Sequence, residues 1–390
     1  MSERVKEWSF IDEALEERKQ QDRLRSLRAL RPGRNSIEVE RDGRQLVNFC
    51  SNDYLGLAGH PDLAQKASTY AEQYGTGATA SRLVSGTYDI HLRLEQKLAD
   101  IYGREAALLF NSGFQANSTI LQALTTRNSL ILADKKSHNS LLQGSLLSRA
   151  AFRRFRHNDL DHLEQLLDRA SGRSHDRTII VTETVFSMDG DRSDVNRLAE
   201  LAERYDAFLF LDDAHAMGVW GAHGRGLAHA HDRVDLVLGT FGKAYGVFGA
   251  FVVCSGNVRD YLVNFCPGFI YTTALPPPVI GALDAAADQV EAMDAERANY
   301  HRNIDDLRAE IGRLGYDTGR STTQIIPVII GDETETLELS QYLEENGLLA
   351  TAIRPPTVPE SRSRIRLTLS AAHTQQHLEI LLKALRGWHG

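Results

Sequence analysis

Two short apolar runs constrain this chain more than any other feature in it. Residues 208–211 read F-L-F-L and stop at Asp212, Asp213 and His215; residues 236–238 read L-V-L and stop short of Thr240 and Lys243. A short apolar run closed by a turn reads as a strand buried on both faces, as in parallel sheets. Ligands of open α/β sheets bind outside the carboxyl ends of such strands. The pair therefore delivers an acid, an imidazole, a hydroxyl and an amine to one edge of one sheet. An aromatic aldehyde cofactor needs that set: an amine for a Schiff base, an acid to keep a ring nitrogen protonated, and donors for a phenolate and a phosphate.

The rest of the chain supplies the sheet. Apolar runs at residues 106–110, 130–134, 151–155, 178–182, 208–212, 236–240 and 250–254 alternate with helical patterns. Seven strands interleaved with helices predict an α/β fold with a doubly wound, mostly parallel sheet, in a large domain over residues 46–278. Before it, residues 1–45 read as a charged helix with a thin apolar stripe (Trp8, Ile11, Leu15) and a hairpin about Arg41, Asp42 and Gly43. Such an arm either docks on a second subunit or stands in solvent. After it, Pro276, Pro277 and Pro278 break the rhythm. A helical stretch over 279–314, strands at 325–330, near 349–353 and at 364–369, and a helix over 334–346 follow. A last helix is capped by Thr374 and striped by Leu378, Leu381, Leu382 and Leu385. Together they predict a smaller α/β domain over 279–390.

Several other readings fail. G-T-F-G-K-A is not a Walker loop, which needs glycine where Val237 stands and Ser or Thr where Ala244 stands. G-T-G-A-T-A at 75–80 has dinucleotide-binding spacing but follows a helical pattern rather than a strand. A formal charge of -8 argues against a nucleic-acid partner. Cys50, Cys254 and Cys266 lack metal or redox spacing, which suggests a reducing cytoplasm. No signal peptide and no membrane-length apolar run are visible. His223, His229 and His231 lack an acid or cysteine at ligand spacing, so no metal is expected. Arg153, Arg154 and Arg156 read as a solvated face.

The motifs S-N-D-Y-L-G-L from Ser51, N-S-G-F-Q-A-N from Asn111, T-E-T-V-F-S-M-D-G-D from Thr182, D-D-A-H-A-M-G from Asp212, G-T-F-G-K-A-Y-G from Gly239 and R-I-R-L-T-L-S-A-A-H from Arg364 occur in one order. In that set the chain resembles the α-oxoamine synthases, pyridoxal 5'-phosphate enzymes of the aspartate-aminotransferase fold (fold type I), over nearly its whole length. The resemblance implies a homodimer with active sites at the subunit interface. It implies that Lys243 is the Schiff-base lysine, that Asp212 pairs with the pyridinium nitrogen, and that His215 donates to the phenolate oxygen, with Ser187 nearby. His138 would stack on the ring and act as an acid toward the thioester carbonyl. Glu183 is expected behind these groups, and Asp213 as a cap of a turn. The phosphate would lie on the helix opening at Gly113 and Phe114, where free N–H groups and the dipole favour a dianion. Thr240 would join it there, with Thr272 or Thr273 of the other subunit. Arg366 would hold the amino-acid carboxylate in a bidentate pair, beside Asn52. Arg25 would meet the distal carboxylate of the acyl chain. I-R-P-P-T-V-P at 353–359 and R-L-T-L-S-A-A-H at 366–373 favour the member condensing L-alanine with a pimeloyl thioester, either pimeloyl-CoA or pimeloyl-acyl carrier protein. Glycine C-acetyltransferase, 5-aminolevulinate synthase and serine palmitoyltransferase are the sibling alternatives. A non-catalytic partner subunit is the alternative of another class, and the presence of Lys243 speaks against it.

Overall fold

The computed structural model describes residues 8–21, 23–33, 36–172, 175–229 and 231–388. Its centre is a seven-stranded sheet in the spatial order Ala106–Phe110, Ala250–Cys254, Leu236–Thr240, Phe208–Asp212, Thr178–Glu183, Leu130–Asp134, Ala151–Phe155. Ala250–Cys254 runs antiparallel to both neighbours, and every other pairing is parallel. All seven expected strands form, six of them as buried, largely apolar runs. On one face Ile131 and Ala133 pack with Ile120 and Leu121; on the other Leu130 and Leu132 pack with Leu163, Leu167 and Leu198. Ala151–Phe155 is the exception in composition. It is an edge strand, and its exposed Arg153 and Arg154 discourage pairing with another chain's edge.

The carboxyl ends of four adjacent parallel strands bring Asp134, Glu183, Asp212 and Thr240 to one rim. Two helices open there. Gly113–Leu124 is capped by Ser112, which accepts from Gln115 N, and Asn139–Leu147 by His138, which accepts from Ser140 N. The expected helix over 279–314 is two helices, Pro277–Ala292 and Asp294–Arg313, broken at Met293 (φ -89, ψ 33). The expected strand near 349–353 is likewise two pieces in two sheets. Leu348–Leu349 pairs in parallel with Arg44–Asn48, while Ala352–Ile353 pairs antiparallel with Ser363–Thr368. The early hairpin and the late part of the chain thus share a sheet. The helix Ser9–Gln20 buries no residue, and Trp8 precedes its first turn, at the N-cap position, with no side-chain capping bond. The segment after it is held by ion pairs of Arg23 to Glu333 (2.8 Å) and Arg28 to Glu344 (3.1 Å). All three cysteines are free. Among the described residues no helix is long and apolar enough to cross a membrane.

Candidate active site

At the strand-end rim lies a cavity of about 130 Å³ whose walls include Gly113, His138, Glu183, Asp212, His215, Thr240 and Lys243. Asp212 ends its strand with both oxygens engaged: Asn117 Nδ2 donates to Oδ2 at 2.7 Å and Ala214 N to Oδ1 at 3.1 Å. Asn117, buried on the helix Gly113–Leu124, also donates to Ser140 Oγ (2.9 Å), which lies 2.7 Å from His138 Nδ1. That nitrogen accepts from Ser140 N as well (3.2 Å), so hydrogen bonding assigns the proton of a neutral His138 to Nε2. Lys243 Nζ donates to Thr240 Oγ1 at 3.0 Å. His215 Nδ1 is 2.5 Å from the buried Tyr54 hydroxyl, which fixes the ring. Gly113 is required by space: a Cβ there would stand 2.6 Å from Thr240 Cγ2.

The electrostatics follow from burial. Loss of water lowers the affinity of Lys243 for its proton, and Arg366 adds to this, against the opposing charges of Asp212 and Glu183. An amine made less basic in this way is a better nucleophile and base near neutral pH. Burial pushes the Glu183 carboxyl well above its usual range, and the charge of Asp212 pushes the same way; its Oε1 has no partner. Burial likewise lowers His215 far below its ordinary value, aided by Lys243 and Arg366. His138 is lowered by desolvation and Lys243, with Asp212 opposing. Both imidazoles are therefore neutral donors. Asp213 points elsewhere: it accepts from Thr184 Oγ1 and from the N–H groups of Leu227 and Ala228, and burial raises it to about 6.

A second cavity, of about 830 Å³, abuts the first across His138. Ser187 lines this larger space rather than the smaller one, as do Arg25, Lys136, His157, Thr357 and Arg364. Arg25 is exposed and donates to Thr357 Oγ1 at 3.2 Å. Arg366 is buried, donating to Ser187 O (2.6 Å), Thr368 Oγ1 (2.8 Å) and Asn52 Oδ1 (3.2 Å). Thr272 and Thr273 do not reach the Lys243 cavity of their own chain. Asn111 Nδ2 donates to Thr272 Oγ1 and to Thr273 O, and the Thr273 side chain is exposed. Phe114 lines the Lys243 cavity and remains half exposed. His223 and His229 do not converge, pairing instead with Asp294 and with the carbonyl of Tyr102. Sequence reasoning missed Asn117 and Ser140, and set Glu183 farther from the site than it stands. Asn117 closes the N-S-G-F-Q-A-N motif, which was the available signal.

The family model described as aminotransferase class I and II matches residues 44–385. The chain belongs to that family. Within it, the chain is one of the α-oxoamine synthases. It is 51% identical over 356 residues to a Gluconacetobacter diazotrophicus protein named 8-amino-7-oxononanoate synthase, covering 90% of this chain and 89% of the relative. A Geobacter sulfurreducens protein of the same name is 43% identical, with 95% of each chain covered. Among solved structures, SPT carrying a pyridoxal phosphate internal aldimine superposes with a TM-score of 0.92 at 27% identity, with 97% of each chain covered. The chain is an enzyme that uses pyridoxal 5'-phosphate, and the cavity suits that group. A helix start kept open by Gly113, an acid oriented by Asn117 and an amine of lowered basicity line one small space.

Proposed function

We propose that this enzyme condenses L-alanine with a pimeloyl thioester, releasing carbon dioxide and free thiol and giving 8-amino-7-oxononanoate. The observation that carries the proposal is that His138 forms part of the wall both of the cavity holding Lys243 and Asp212 and of the much larger one beside Arg25. The names of the relatives at 51% and 43% identity support the choice of substrates.

Pyridoxal phosphate supplies an electron sink for negative charge at the Cα of a bound amino acid. The chain does the rest. Asp212, fixed by Asn117 and Ala214 N–H, would hold the cofactor's ring nitrogen; Gly113, Phe114 and Thr240 would hold its phosphate at the helix start. Lys243 binds the cofactor, accepts the proton leaving Cα and later returns one. His215 donates toward the phenolate oxygen, and Ser187 approaches it from the larger cavity. Arg366, next to Asn52, holds the amino-acid carboxylate. His138 would stack on the ring and present a proton on Nε2 to the thioester carbonyl. Arg25 meets the far carboxylate of the acyl chain, carried by coenzyme A or by acyl carrier protein. Thr272 and Thr273 complete the phosphate site of the partner subunit in a cytoplasmic homodimer.

The test is a screen of purified holoenzyme with alanine, glycine and serine, each crossed with pimeloyl, acetyl, succinyl and palmitoyl thioesters. Alanine with the pimeloyl thioester should turn over fastest. Glycine should bind yet react poorly, since a single methyl group discriminates by only about 1–3 kcal/mol. A faster glycine–acetyl or serine–palmitoyl pair would overturn the assignment while leaving the cofactor site intact.

A further inference from the structure

His157 follows the edge strand Ala151–Phe155 and lines the larger cavity. Its Nδ1 is 3.0 Å from Asp134 Oδ1, and its Nε2 is 2.8 Å from Asp191 Oδ2. Ionised carboxylates only accept hydrogen bonds, whereas a neutral imidazole carries one N–H. Both contacts therefore form together only if both ring nitrogens carry protons. Three of the four carboxylate oxygens already accept other hydrogen bonds, and Asp191 Oδ1 is buried without a partner. Asp134 Oδ1 already accepts from Lys136 N (2.7 Å) and Oδ2 from Asn158 N (2.8 Å), while Asp191 Oδ2 accepts from Asn158 Nδ2 (3.0 Å).

The charges around the ring agree. Asp189 lies beside it and is held by Lys136 (3.0 Å) and Arg364 (2.9 Å). Counting His157 as a cation, Asp134, Asp189 and Asp191 face three positive groups. His138 and Arg25 are the other titratable or charged side chains on this cavity's wall, apart from the exposed Lys135. The edge of the Phe186 ring packs against the imidazole (centroids 4.4 Å apart, 89° between planes). His157, Asp189 and Asp191 could also be read as a cation site, since their ligand atoms lie within 4.8 Å of one another. Against that, both ring nitrogens are already engaged and Asp189 already serves two cations.

We propose that His157 is a standing imidazolium latch. It ties the segment after Leu130–Asp134, which carries His138, to residues 184–193, which carry Ser187, and so holds the two walls of the larger cavity in register. Burial alone would lower its affinity for the proton, but the two carboxylates overcome this and raise it to about 9. His157 is thus a positioning residue, both of its ring nitrogens being taken by carboxylates. The latch concerns the cavity wall whatever the substrate is, and its tests use no turnover.

In holoenzyme labelled with 15N-histidine, the His157 ring should show two protonated nitrogens near neutral pH and lose one as pH passes about 9. Hydrogen exchange, corrected for its intrinsic pH dependence, should show residues 134–139 and 184–193 losing protection over the same pH range. His157→Gln should show that loss already near neutral pH, by about tenfold or more, with the helix Val195–Arg204 unchanged. A neutral His157 ring near neutral pH would overturn the charge. Unchanged exchange in both segments, in the variant or across the wild-type pH series, would overturn the latch. A shift of the His157 signals on adding one equivalent of zinc would overturn it in favour of a metal site. If His157→Gln fails to fold, the wild-type pH series decides alone.

Discussion

Lys243, Asp212 and Asn117 carry the residue-scale expectations. Lys243→Ala should fold and bind pyridoxal phosphate weakly, yet acquire no cofactor mass after borohydride reduction; peptide mass spectrometry reads this directly. Asp212→Asn removes the charge proposed to face the ring nitrogen and should slow turnover by about 3–5 kcal/mol of transition-state free energy; a rate within about threefold of wild type would contradict the role. Asn117→Ala removes a donor 2.7 Å from a buried carboxylate. It should cost about 1–3 kcal/mol, divided between stability and turnover. Lys243, Asp212, His215 and Thr240 were legible because each ends or follows an apolar run, where a change of chemistry stands out. Asn117 and Ser140 were not, because they lie inside helices whose periodicity says only that a residue is buried. Which buried polar side chain meets which strand end depends on crossovers that no local pattern encodes.

Elements show the same division. Six of the seven sheet strands were readable because buried strands are largely apolar; Ala151–Phe155, an edge strand with two exposed arginines, is not of that kind. The break at Met293 was not, since no glycine or proline marks it and apolar residues continue on both sides. Nor does the sequence 348–353 reveal that its halves serve two sheets: both are short, apolar and equally strand-like, and only the positions of their partners separate them. The helix Gly113–Leu124 carries a prediction of its own. Gly113→Ala would press a methyl group against Thr240 Cγ2, 2.6 Å away. The helix start must then shift, and overpacking of this kind costs about 1–3 kcal/mol. A titration of apoenzyme should find pyridoxal phosphate bound about tenfold more weakly or worse, with secondary structure unchanged by circular dichroism.

For the whole molecule, exposed apolar groups point beyond a single chain. Val84, Phe114, Phe248, Phe265 and Tyr271 are each more than half exposed, and a proposed homodimer gives them something to cover. Mixing Lys243→Ala subunits with Thr272→Ala/Thr273→Ala subunits should restore measurable activity after verified exchange, because each hybrid contains one site free of both defects. Absence of recovery would exclude the trans contact. Stability should also respond to pH through His157. Its folded-state affinity for the proton is raised to about 9, from an ordinary value near 6.5. Its contribution, about 3 kcal/mol at most, is therefore complete below about pH 6.5 and lost as pH rises through about 9. The gap in Tm between wild type and His157→Gln should be widest in mild acid and close in alkali.

The pairing of Val47 with Leu348 sets a schedule for synthesis. The early hairpin leaves the ribosome about 300 residues before the strand that completes its sheet. At about 5–20 residues per second, it waits roughly 15 to 60 s with an open edge. A nascent chain halted before Leu348 should keep that edge available to chaperones, and one halted well after it should not.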